Sequence, residues 1–194
     1  MLIHSTSEFS AWRKSVANQT VAFVPTMGAL HSGHHSLIAY AAQQCDLVVV
    51  SIFVNALQFG DASDYDKYPR DEHSDYLASV SAGANIVFAP QQQDMFPSDF
   101  DRYLTPSSLA NEYEGKHRPG HFAGVVTVVH RLFDIVQPDL FYYGGLIRSI
   151  RVARMAEVRG LWGEIGALPR MWPWGRGRKG FDKSSGCLSI IWLE

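Results

Sequence analysis

Residues Thr20 to Asn55 read TVAFVPTMGALHSGHHSLIAYAAQQCDLVVVSIFVN. Two β-rich runs flank a stretch of a different character. The first, Thr20 to Pro25, is closed by proline and predicts a buried strand. The last, Asp46 to Asn55, is almost wholly apolar and β-branched, the pattern of a strand covered on both faces. Between them, Leu37, Ile38, Ala41 and Ala42 recur at helical spacing, and Ser32 stands where a helix N-cap belongs. Strand, helix, strand predicts a parallel, right-handed βαβ unit.

Working outward, a polar loop follows Asn55. A helix is expected from near Asp71, running through Leu77 and Val80 to Ala82. Ala84 to Pro90, ANIVFAP, predicts a third strand. The Pro-, Gly-, Asp- and Ser-rich stretch from Gln91 to Phe122 predicts loops with a short helix near SSLANEYEG. Val125, Val128, Val129, Leu132, Phe133 and Val136 then trace one face of an amphipathic helix that stops before Pro138, leaving His130 as a surface residue. Asp139 to Gly144, DLFYYG, predicts a fourth strand. Strands alternating with helices predict an α/β fold with a doubly wound parallel sheet.

From Gly144 the character changes. Residues 144–194 hold four of the five tryptophans, nine glycines and seven arginines, and MWPWGRGRKG has neither helical nor strand period. The expected organisation is therefore a domain over 1–144 and an atypical tail over 145–194.

The composition narrows the function. With 46% hydrophobic and 19% charged residues, the chain has the makings of a real core, and a formal charge of −2 offers no basis for nucleic-acid binding. The longest apolar run, LVVVSIFV, is far short of the roughly 18 residues of a membrane span. Cys45 and Cys187 form no C-x-x-C pair, and the start MLIHSTSEFSAWRKS lacks a signal-peptide layout. The expectation is a cytoplasmic chain without membrane or nucleic-acid partners.

In an open α/β sheet, ligands bind beyond the carboxyl ends of the strands. His31, Gly33 and His34 fall there, at a helix N-terminus that favours phosphate. Gly28 and Gly33 allow close backbone approach. Two imidazoles three residues apart can both donate to a phosphoryl oxygen and stabilise the charge that develops in nucleotidyl transfer. A metal half-site would need a carboxylate or cysteine at suitable spacing, and none stands nearby. No metal ligands are assigned.

Four blocks in order, VPTMGALHSGHHSLI, VVVSIFVNALQFG, YPRD and EGKHRPGHFAGVVTVVHRLFDIVQPDLFYYG, resemble the pantoate–β-alanine ligase family of the nucleotidyltransferase superfamily. The histidine motif alone would fit a cytidylyltransferase equally, and a non-catalytic nucleotide-binding remnant is the third reading. The resemblance implies a Rossmann-like fold and a two-step reaction with ATP and Mg²⁺. Pantoate attacks the α-phosphate to give pantoyl adenylate and pyrophosphate, and the amine of β-alanine then displaces AMP. By matching motif, Met27, Gly28, Ala29, Leu30, His31, Ser32, Gly33 and His34, with Gly144, would line the ATP site. His34 would be the proton donor and His31 its partner on the phosphates. Gln58 would bind pantoate, Asn55 and Tyr68 would shape its pocket, and Arg118 and His121 belong to a segment matching Glu112 and Glu114 as well. A homodimer is also implied.

The resemblance stops where the tail begins. The family continues with Glu-Lys-Asp and then glutamines, whereas this chain has GLIRSIRV. The family's phosphate-holding lysine and its C-terminal lid domain have no counterpart, as a reading-frame shift near codon 144 would produce. Weak or absent ligase activity is the expectation.

Overall fold

The Thr20–Asn55 segment builds the centre of a parallel sheet. In a computed structural model describing residues 1–106, 108–112, 114–141 and 189–190, the strands are β1 (Leu2–Ile3), β2 (Val21–Thr26), β3 (Leu47–Ile52), β4 (Ile86–Phe88), β5 (Leu140–Phe141) and β6 (Ser189–Ile190). They lie in the order β1-β4-β3-β2-β5-β6, every pair parallel. β2 and β3 pair along their full length, from Val21 opposite Leu47 to Thr26 opposite Ile52. β2 runs one residue past Pro25, and β3 ends before Phe53, so Phe53 to Asn55 leave the sheet as a connector.

Among the described residues seven helices accompany the strands: α1 (Thr6–Ser15), α2 (Ser32–Gln44), α3 (Ala62–Lys67), α4 (Glu72–Ser81), α5 (Gln92–Met95), α6 (Glu114–His117) and α7 (His121–Val136). Short 3₁₀ turns occupy Ala56–Gln58 and Ser108–Asn111. Strand alternation divides the core into two layers. Val21, Phe23, Val49, Ile86 and Phe88 pack with Phe9 of α1 and with Val125, Val128, Val129, Leu132 and Val136 of α7. On the opposite face Ala22, Val24, Val48 and Val50 pack against Ile38 and Ala41 of α2. Helices on both faces make the sheet doubly wound, as the alternation predicts.

The winding matters for function. From β2 the chain steps through α2 to β3 and through α4 to β4 on one side, then returns through α7 to β5 on the other. The reversal falls between β2 and β5, and the crevice beyond their carboxyl ends is where such sheets bind ligands. The loop leaving β2 begins at Met27.

Two sequence expectations change. The polar stretch after Asn55 contains α3, capped by the Asp61 side chain on Ser63 N at 2.8 Å. His130 is buried rather than superficial, its Nδ1 3.7 Å from Asp134. Nearby, Leu104 N donates to Thr127 Oγ1 at 3.0 Å and Arg102 pairs with Asp134 at 3.2 Å. The helix expected through Leu77 and Val80 is present as α4, with those two residues 50% and 42% exposed while Asp75 and Ser79 face inward. The tail prediction over 145–194, and with it the Gly144 assignment, lies outside the described residues apart from the short β6. Among the described residues no helix is long and apolar enough to cross a membrane.

α7 meets the 3₁₀ turn Ala56–Gln58 with no side chain between them. A Cβ on Gly124 would fall on the carbonyl of Leu57 and lie 2.6 Å from Gln58 N. Backbone cannot yield as a flexible side chain can, so Gly124→Ala is expected to cost about 1–3 kcal/mol through overpacking, read from the midpoint of denaturant unfolding. Gly60→Ala, where a Cβ meets nothing within 4 Å, is expected to leave the midpoint unchanged.

Candidate active site

Beyond Thr26 the chain must turn sharply from β2 into α2. Thr26 Oγ1 donates to Ser51 O at 2.6 Å and accepts Gly28 N at 3.2 Å, tying the start of the turn to β3. Gly28 and Ala29 both adopt left-handed backbone, φ +82° and +51°. Glycine does so without strain, whereas an L-alanine pays about 1 kcal/mol or more. The next two amides end on one carboxylate from α4: Ala29 N meets Asp75 Oδ2 at 2.9 Å and Leu30 N meets Asp75 Oδ1 at 2.8 Å. Asp75 is only 6% exposed.

The N-cap of α2 is His31, not Ser32. The His31 ring does what an Asn side chain does at this position: its Nδ1 accepts Gly33 N at 3.1 Å. His34 returns the favour, its Nδ1 accepting His31 N at 3.3 Å. The two histidines form a reciprocal capping box, with ring centroids 4.1 Å apart.

This arrangement fixes the tautomers. A ring nitrogen that accepts an N–H cannot carry a proton, so each neutral imidazole holds its hydrogen on Nε2. Burial pushes the His34 pKa below the ordinary histidine value; His31 and His35 push the same way, and Asp75 opposes them. At neutral pH His34 is therefore an uncharged Nε2–H donor. The anion-binding expectation changes in detail: Gly28, Ala29, Leu30, His31 and Gly33 spend their backbone N–H groups inside the protein. What the pair presents is the two Nε2–H groups.

A second cluster joins the first. Asn55, nearly inaccessible, donates from Nδ2 to Gln58 Oε1 and to Gly124 O, each at 3.1 Å, and its Oδ1 accepts Leu57 N at 3.3 Å. Gln58 Nε2 then reaches Met27 Sδ at 2.8 Å. Asn55 thereby orients the Gln58 amide, oxygen toward Asn55 and nitrogen toward the β2 loop. His121 Nδ1 donates to the Gln58 carbonyl at 2.7 Å, so this ring pins the turn that carries Gln58.

The remaining expected residues divide. Tyr68 packs edge-on against Phe59, centroids 5.7 Å apart, and burial followed by the Asp75 carboxylate raises its phenol pKa. Arg118 is engaged in an i,i+4 pair with Glu114 at 3.6 Å. A cavity of about 210 Å³ opens beside Met27 and Gly28 at the ends of β3 and β4, walled by Tyr65, Arg70, Asp75 and Gln92. Cys45 supplies no nucleophile, because burial, Asp139 and Asp46 push its thiol up to about 12. Among the described residues no three His, Cys, Asp or Glu side chains gather as a metal-ligand group.

Sequence reasoning missed Thr26, Asp75 and Gly124. For Asp75 a signal existed: it stands four residues before Ser79, which shares its helix face. The more apolar Leu77 and Val80 masked that register.

Comparison with known proteins agrees with the geometry. The family model described as pantoate-beta-alanine ligase matches residues 1–158. Pantothenate synthetase of Neisseria meningitidis serogroup A is 51% identical over 144 residues, 74% of this chain and 51% of that protein. The Heliobacterium modesticaldum enzyme of the same name is 47% identical over 145 residues, 74% and 52% of the two chains. Among solved structures, pantothenate synthetase from Thermus thermophilus superposes with a TM-score of 0.74 at 40% identity, covering 82% of this chain and 58% of that one. Pantoate-beta-alanine ligase from Francisella tularensis, complexed with beta-gamma ATP and beta-alanine, gives a TM-score of 0.77 at 31% identity, covering 98% and 66%. The chain spans about half the length of the curated relatives it matches.

The His34 environment sets a pH dependence. A histidine whose folded pKa is lowered binds fewer protons in the native than in the unfolded chain between the two values. Its contribution is complete above the ordinary value of 6.5 and is lost as pH falls through the lowered one. Denaturant midpoints measured between pH 8 and 5 (roughly the range that brackets histidine titration) should fall on acidification, and His34→Ala should flatten that fall.

Proposed function

Because this chain belongs to the pantoate-beta-alanine ligase family, we propose that its α/β domain binds ATP at the β2–β5 crevice and pantoate beside Gln58, and that it supports the adenylation half of the ligase reaction. One observation supports this: both Nδ1 atoms of the histidine pair accept backbone N–H groups, which leaves Nε2–H as the donor of each ring at the N-terminus of α2. As the pantoate carboxylate attacks the α-phosphorus, the P–O bond to pyrophosphate breaks and charge grows on the phosphoryl oxygens. Preoriented donors gain from that growth without reorganising. Pyrophosphate leaves, and pantoyl adenylate remains.

Gln58 suits the second substrate. Its amide is held by Asn55 and Met27, which sets its orientation before any ligand arrives, and preorganisation of this kind reduces the entropy that binding must overcome. In the second step the amine of β-alanine attacks the acyl carbon, the amide C–N bond forms and AMP departs. Mg²⁺ enters as the counter-ion of the nucleotide substrate; the described residues offer it no three-ligand group, and no step is assigned through it. A homodimer in the cytoplasm is part of this reading.

The tail sequence limits the rate. GLIRSIRV supplies neither the lysine nor the glutamine that the family resemblance calls for after Gly144. The full chain, given ATP, pantoate and labelled pyrophosphate, is expected to show slow, pantoate-dependent label exchange into ATP. His34→Ala should lower that exchange by about 10²–10³, as loss of a transition-state donor does. Exchange that runs on CTP instead would favour a cytidylyltransferase, and ATP binding without any exchange would make the chain a nucleotide-binding remnant.

A further inference from the structure

The β2–α2 turn holds a buried carboxylate that the reaction above does not use. Asp75 reaches it from α4, a separate helix 45 residues further along the chain from Leu30. Its two oxygens are divided, one to each of two successive amides, at 2.9 and 2.8 Å. The fit leaves no slack: a Cβ on Gly28 would stand 2.7 Å from Asp75 Oδ2 and 3.3 Å from the Ile52 side chain. The turn it holds includes a left-handed alanine, a conformation that persists only where the surroundings over-determine it. Leu30 is followed directly by His31, whose backbone N–H is the donor that fixes His34.

We infer that Asp75 is the positioning residue of this site: by binding Ala29 N and Leu30 N together, it sets the turn that presents His31 and His34 and keeps those two amides away from the nucleotide phosphates. The inference rests on the adenylation reading for its catalytic consequence and on geometry alone for its structural one. Without the carboxylate, two part-buried N–H groups lose their acceptors and the left-handed Ala29 loses its restraint. The chain entering α2 can then relax, and the His31 cap with it. The low dielectric around a buried side chain makes such an orphaned pair costly. A loop whose amides were free would form a nest for phosphate; here the same amides point at an anion the protein itself supplies. Phosphate recognition is thereby shifted from the loop backbone to the imidazoles. Asp75 is also close enough to His34 and Tyr68 to push the pKa of both groups upward, which places its charge at the centre of the site.

The test separates position from fold. Asp75→Asn keeps the shape but turns an NH₂ toward one of the two amides. Two-bond ¹⁵N–¹H spectra of the full chain should show both His31 and His34 as Nε2–H rings, and Asp75→Asn should mix the tautomers at both. Leu77→Ser, on the exposed side of the same helix, should leave them unmixed. In the exchange assay Asp75→Asn should lower kcat by about 10²-fold, the cost of a small misplacement of a reacting group, with KM for ATP little changed. If the variant does not fold, hydrogen exchange of the unaltered protein decides: Ala29 and Leu30 amides should be protected like buried helix amides, with and without ATP. Rings that stay locked in Asp75→Asn, or amides that exchange as fast as an open loop, overturn the inference while leaving the ligase reading intact. Conversely, tautomer mixing in a chain that shows no exchange with any nucleotide upholds Asp75 and removes the ligase reading.

Discussion

A parallel strand cannot hand its chain to the following helix without a tight turn, and a tight turn leaves amides with no ladder partner. Here the turn after β2 satisfies its amides in sequence: Gly28 on Thr26, Ala29 and Leu30 on Asp75, His31 on His34 and Gly33 on His31. The bond at Gly28 is buried and those to Asp75 are part-buried, where an unpaired polar group costs more than a paired one returns, so these acceptors constrain where the backbone can run. Everything chemical at the site follows from it. The histidine rings face outward because their inner nitrogens are already occupied.

The Asn55–Gln58 cluster obeys the same rule from another direction. α7 lies against the 3₁₀ turn so closely that its glycine has no room for a methyl group, and Asn55 bonds to that glycine's carbonyl while holding Gln58. The two halves of the site then meet at a single contact, Gln58 on Met27. A helix built by one stretch of apolar residues, Val125 to Val136, thus positions a polar amide contributed by a stretch nearly seventy residues earlier. Core packing and the proposed pantoate contact share the same atoms, so a stability defect at Gly124 also reaches Gln58.

How much of this was legible in the sequence depends on the kind of interaction. Val48, Val49 and Val50 announce a strand buried on two faces, and the valine face of α7 announces its packing, because burial of apolar area follows local periodicity. The motif from Met27 to His34 could be placed at the strand's carboxyl end for the same reason. What periodicity could not reveal was the pairing of groups distant in sequence. Asp75 is one acid among several in DEHSD, and only tertiary contact with Gly28 to Leu30 singles it out. His31 displaces Ser32 as the cap because a neutral imidazole nitrogen accepts a hydrogen bond as an amide oxygen does, a role that residue preferences for capping do not rank. α1 announces itself only weakly in the polar N-terminal sequence, although it caps the far end of α7 through Arg13, whose guanidinium reaches Val136 O at 3.1 Å and Gln137 O at 2.9 Å.

The site's electrostatics bear on the slow exchange proposed for this chain. His31 and His34 each accept a backbone N–H at Nδ1, and burial disfavours a proton on His34. The fixed charge that bears on this pair is the carboxylate of Asp75, of the wrong sign for a triphosphate. Among the described residues, Arg13, Arg102 and Arg118 pair with carboxylates, while Arg70 holds backbone carbonyls and lines the cavity beside Met27 and Gly28. In the proposed reading, a triphosphate brought to this crevice meets oriented donors at the histidine pair and the Arg70 cation at the neighbouring cavity. Neutral donors discriminate well between ground state and transition state, since they respond to charge as it grows, but they do little to offset charge already present. In the proposed reading, further cations for the β- and γ-phosphates come with the nucleotide's own metal or from the sequence after β5. The sequence there departs from the family at the position of its phosphate-binding lysine.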